Sequence, residues 1–113
     1  MSTPFQKKEQ VFFRVVGITL DQMRAFQKLL DGVTVEQRQR KGKDDFVLSV
    51  ELSNPVICDI IQRALSSSVL NAPHGLYVSL VTESDSDGVR LEPFICEFWK
   101  VVGGDLDFSF TVV

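Results

Sequence analysis

The stretch "VFFRVVGITLDQM", residues 11–23, decides the fold, because the spacing of its apolar side chains changes character part-way along. Residues 11–18 form an apolar run dense in valine and phenylalanine, of a length that suits a buried strand. Helical signals take over at Thr19. Thr19 and Gln22 have the spacing of a capping box, in which each side chain satisfies a backbone N–H left open in the first helical turn. Ile18 and Met23 flank that box as a hydrophobic staple, so the sequence itself fixes where the strand ends and the helix begins. Leu20, Met23, Phe26 and Leu30 then recur on one helical face, and Gly32 offers a left-handed stop.

Working outward, "VTVEQRQR" (33–40) and "FVLSVEL" (46–52) read as the arms of a hairpin. Lys41, Gly42 and Lys43 form its turn, and Phe46, Leu48, Val50 and Leu52 share one face. "SNPVICDIIQRALSSS" (53–68) reads as a second helix, with Asn54 as N-cap and Pro55 in the first turn, where a missing N–H costs nothing. Its expected buried stripe is Ile57, Ile60, Ile61, Ala64 and Leu65, with Cys58 on the margin. The last third reads as β-structure: "LYVSLVTE" (76–83), "VRLE" (89–92), "FICEFWKVV" (94–102) and "DLDFSFTVV" (105–113), the final one as a half-buried antiparallel strand.

The expected fold class is therefore α+β. Strand, helix, strand, strand, helix, strand is a ferredoxin-like split β-α-β sheet with two helices on one face, here extended by a C-terminal antiparallel β-hairpin. One domain covers residues 1–113, with the polar residues 1–9 expected to be flexible.

Composition bounds the function. A hydrophobic fraction of 44% with nine phenylalanines excludes a disordered chain. No segment approaches the roughly 18 consecutive apolar residues of a membrane helix, and "MSTPFQKKEQ" lacks a signal peptide's apolar core, so a cytoplasmic protein with no membrane association is expected. Cys58 and Cys96 lack metal-ligand spacing and read as reduced, packed thiols, while His74 in "NAPHGL" reads as a turn residue. No metal, cofactor or catalytic residue is assigned. The net charge of −3 argues against a polyanion partner, although cations crowd residues 1–43 and acids the remainder.

Three resemblances bear on binding. Over residues 11–65 the chain coarsely resembles RNA-recognition domains, which stack bases on aromatics of two central strands. That resemblance implies a single-stranded nucleic-acid site built from Phe12, Phe46, Arg38, Arg40, Lys41 and Lys43. Gly42, Asp44 and Ser49 depart from the family's third-strand motif, and the two aspartates beside the turn oppose phosphate. "VVGIT" loosely resembles the opening turn of small-ligand regulatory domains. "ESDSDG" (83–88) resembles the first half of a calcium loop, but its twelfth position is Phe94 instead of a bidentate glutamate. The serines Ser66 to Ser68 have no evident base, and an enzyme is not expected.

The leading expectation comes from "FICEFWKVV". Read as a strand, it has two apolar faces, Phe94, Cys96 and Phe98 on one and Ile95, Trp99 and Val101 on the other, so it needs two covers. An interface at Phe94, Ile95, Phe98, Trp99 and Val101 is expected, for a protein partner and foremost a second copy, in a homo-oligomer. Such a non-catalytic assembly module would suit a viral or phage structural part, an immunity protein or an inhibitor.

Overall fold

The computed structural model describes residues 7–67, 72–83 and 88–113. The elements are β1 (Lys8–Ile18), α1 (Leu20–Leu29), β2 (Glu36–Gln39), β3 (Phe46–Glu51), α2 (Pro55–Ser67), β4 (His74–Thr82), α3 (Pro93–Val102) and β5 (Asp105–Val112). They make an α+β fold with one five-stranded mixed sheet in the order β2-β3-β1-β4-β5. The first four strands pair antiparallel, while β5 joins β4 in parallel. β1 starts at Lys8, inside the stretch expected to be flexible.

Both opening signals act as read. Thr19 Oγ1 accepts from the Gln22 N–H and the Gln22 side chain accepts from the Thr19 N–H, closing the capping box. Asn54 Oδ1 accepts from the Ile57 N–H at 3.1 Å and so caps α2. In the hairpin, Gly42 takes a φ of 73°, and Arg40 and Asp45 clasp each other beside the turn. The most deeply buried α2 residues are Cys58, Ile61 and Ala64, so the stripe is turned slightly from the expected one and Cys58 belongs to the core.

Residues of all three helices share one apolar cluster with alternate residues of β1 and β3 and with Leu76 of β4, so the described helices cover a single sheet face. Phe13 is its hub, buried completely, with Phe98 edge-on at 5.9 Å and Phe26 tilted at 6.5 Å. The other face, carrying Phe12, Arg14, Ser49 and Tyr77, has none of the described helices over it.

Three expectations about the last third are overturned. "VRLE" forms no strand, "FICEFWKVV" is the helix α3, and the C-terminal antiparallel hairpin is replaced by a β4-α3-β5 crossover. The difference is one of period. Phe94, Ile95, Phe98, Trp99 and Val102 make two apolar faces at two residues per repeat but a single stripe at 3.6, with Glu97, Lys100 and Val101 outside it. Pro93 is the first helical residue and Gly103, with φ 66°, ends the helix. A helix between neighbouring strands lets the chain cross the sheet and return in the same direction, which is why β5 is parallel.

The crossover demands glycine where it rejoins the sheet. A Cβ on Gly104 would lie 1.9 Å from the His74 carbonyl oxygen, and one on Gly75 would lie 2.2 Å from that of Asp105. His74, expected to be a turn residue, is the first residue of β4 and partly buried. Its Nε2 meets the Val102 carbonyl oxygen at 2.9 Å and ties the end of α3 to the start of β4.

Candidate functional site

Refolding "FICEFWKVV" as α3 dissolves the expected interface. Ile95 and Phe98 are buried in the chain's own core, and Phe94 and Trp99 pack against it. The Trp99 indole N–H donates to the Gly104 carbonyl at 3.1 Å, inside the same chain. Of the five residues, Val101 alone is largely exposed. One helix stripe needs one cover, and the sheet supplies it.

The unmet apolar surface lies one element later. Leu106, Phe108, Phe110 and Val112 alternate along β5, and their register with Leu76, Val78, Leu80 and Thr82 places them on the helix-covered face. The β4 residues are buried, but the β5 residues are 42%, 54%, 38% and 48% exposed. The Phe108 and Phe110 rings stack at 6.4 Å with planes 18° apart. Asp105, Asp107, Ser109 and Thr111 point to the other face. A strand forms here, but parallel to β4 instead of antiparallel, and its apolar side is only partly buried.

β5 is also the last strand of the sheet, so one side of its backbone has no ladder partner among the described residues. The two edges of the sheet differ sharply. β2 is four residues long and reads Glu-Gln-Arg-Gln, exposed throughout, the short charged edge that discourages pairing. β5 is eight residues long and holds no lysine, arginine or proline. The Val113 N–H donates to the Thr82 carbonyl at 2.9 Å, which holds β5 to β4 out to its end.

The nucleic-acid residues are not brought together. Phe12 lies on the open face, where it meets Tyr77 at 6.3 Å and lines a shallow hollow of about 610 Å³ with Arg14, Arg38 and Ser49. Phe46 pairs with Ile18 and packs against the core on the opposite face. Arg40 is bound to Asp45 through two hydrogen bonds, and Lys41 and Lys43 stand exposed at the hairpin turn. Arg14 and Tyr77, which carry no motif in the sequence, form a cation–aromatic contact on this face, with the guanidinium 4.4 Å from the ring centre. Glu51, Asp105 and Asp107 sit in adjoining positions on this face of the sheet.

The remaining candidates are structural or lie elsewhere. Burial pushes the Cys58 thiol up to about 11, with Asp59 adding to the shift, so it is protonated and shielded. Cys96 is a second free thiol, partly exposed on α3. In the calcium-like stretch, residues 84–87 lie outside the described residues, as does Ser68 of the serine triplet. Among the described residues, no three histidine, cysteine or acidic side chains gather at metal-binding distance, and no helix is long and apolar enough to cross a membrane.

No family model matches the chain, and no curated protein or solved structure matches it either.

Proposed function

We propose that this protein is a non-catalytic interaction and assembly module whose working surface is the free edge of β5. In this reading the first six elements form a ferredoxin-like unit, a plan that the order β2-β3-β1-β4 with antiparallel neighbours supports. The unit α3-β5 is appended to it and carries the contact surface. Four large apolar side chains exposed in an unbroken row on an unguarded edge support the reading. Monomeric proteins normally shorten, charge or cover such an edge; β2 is short and charged, whereas β5 is long and neutral from Phe108 to Val112.

Magnitudes favour a contact by strand addition. Completing the burial of a half-exposed side chain contributes about 1 kcal/mol, half of the value for a large apolar residue, and so about 4 kcal/mol for the row. Association itself costs roughly 4–15 kcal/mol, so apolar contact alone does not hold a complex. Main-chain hydrogen bonds to the open side of β5 supply the rest, as in other complexes formed by adding a strand to a sheet edge.

The test is the mass of the purified chain, and of any complex it forms in native extract, beside those of Phe108→Asp combined with Phe110→Asp. Species larger than one chain in the wild type, absent from a folded double variant, are expected. Assembly that survives both substitutions would refute the reading.

A further inference from the structure

We infer that the partner at this edge is a second copy of the chain, joined β5 to β5 in antiparallel fashion about a two-fold axis, so that two five-stranded sheets become one of ten strands. The inference rests on the reading of β5 as the contact edge.

Three features of β5 select a second copy. A two-fold axis perpendicular to the sheet keeps each face of one copy continuous with the same face of the other, and it sets like residues of a single patch opposite one another. With Ser109 on that axis, Phe108 faces the partner's Phe110 and Leu106 faces the partner's Val112, and the reverse pairs follow by symmetry. Every apolar residue of the row thereby meets an apolar residue. Sliding the strands by one two-residue step puts Phe108 on the axis and leaves Val112 facing Gly104, an apolar side chain opposite none.

Face and charge select the direction. Both acids of β5, Asp105 and Asp107, lie in its first half, and the second half is neutral. Antiparallel pairing about Ser109 sets Asp107 against the partner's Thr111 and Asp105 against the partner's Val113, with no acid opposite another. Parallel pairing of two β5 edges needs an axis along the strand, which turns the apolar row of one copy to the opposite face from its partner's, so the rows no longer meet. β5 has no cation, so an unrelated acidic strand is disfavoured as well.

Light scattering and thiol cross-linking of the full chain test this together. A mass of two chains is expected at micromolar concentration, with Phe108→Asp weakening association at least about tenfold while leaving the folded monomer intact. Ser109→Cys is expected to form a covalent dimer under a mild oxidant or a short bis-maleimide. Asp107→Cys and Thr111→Cys each fail alone but cross-link when mixed, and the wild type with Cys58 and Cys96 is the control. A wild type that stays a single chain at every concentration overturns the second copy. A dimer that Phe108→Asp abolishes but Ser109→Cys does not trap overturns the register and leaves β5 as the contact. A dimer indifferent to Phe108→Asp overturns both the pairing and the function proposed above.

Discussion

The two glycines at the crossover give the sharpest test of how β5 is held, because the structure separates two kinds of cost. Gly42→Ala places a Cβ at a φ of 73° with nothing within 4 Å, so it pays the dihedral penalty alone, about 1–2 kcal/mol. Gly75→Ala keeps an ordinary backbone but drives its Cβ to 2.2 Å from the Asp105 carbonyl oxygen and 2.8 Å from the Asp105 nitrogen. Those neighbours are backbone and cannot swing aside, so the cost is that of an overpacked core, about 1–3 kcal/mol. Gly104→Ala combines both penalties, with φ 92° and a contact of 1.9 Å to the His74 oxygen, and should lose about 3 kcal/mol or more. For a chain of this length that is a fall in melting temperature of about 10 °C or more, against about 4–8 °C for Gly42→Ala. Thermal unfolding followed by circular dichroism gives the ranking, and amide exchange over residues 105–112 shows whether β5 is the element that loosens. If Gly75→Ala and Gly104→Ala cost no more than Gly42→Ala, the strands do not approach so closely, and the parallel placement of β5 is wrong.

Further outcomes follow from neighbouring contrasts. Phe13→Ala empties the hub of the core and should cost about 3–5 kcal/mol in denaturant unfolding, whereas Phe12→Ala, half-buried on the uncovered face, should cost under about 2 kcal/mol. At pH 8, Cys58 should resist alkylation in the folded protein, since a thiol raised to about 11 holds roughly one thiolate in a thousand, and Cys96 should label first in a mapped time course. The Arg40 guanidinium, through its hydrogen bonds and charge, holds the Asp45 carboxyl below the usual aspartate range. A depressed carboxyl stabilises the fold above its unfolded pKa and ceases to as pH falls through the folded one, so the β2–β3 turn should loosen only in acid. Amide exchange at Arg40 and Lys43 should report it, and Asp45→Asn should remove the pH dependence.

The legible part of the fold was its locally encoded part. Thr19 with Gln22, Asn54 with Pro55 and Gly42 each satisfy or release backbone groups within a few residues of themselves, so α1, α2 and the β2–β3 turn could be read without knowing what packs on them. "FICEFWKVV" is ambiguous in sequence because its apolar residues fit two periods, and Pro93 and Gly103 punctuate a strand as well as they start and stop a helix. Phe46 is ambiguous for a related reason: strand alternation gives two faces but does not say which one the helices cover.

The sequence by itself therefore determined the helix starts, the hairpin turn, the alternation of β5 and the α+β class, because capping, turn chemistry and side-chain period act over a few residues. Tertiary structure alone decided that α3 carries β5 across to the sheet edge in parallel, and that Phe108 and Phe110 stand in the open while Ile95 and Phe98 are enclosed. The physical reason is that exposure belongs to position in the sheet. β4, with a strand neighbour on each side, buries its alternating apolar row, whereas the row on β5, where the sheet ends, is left half in water.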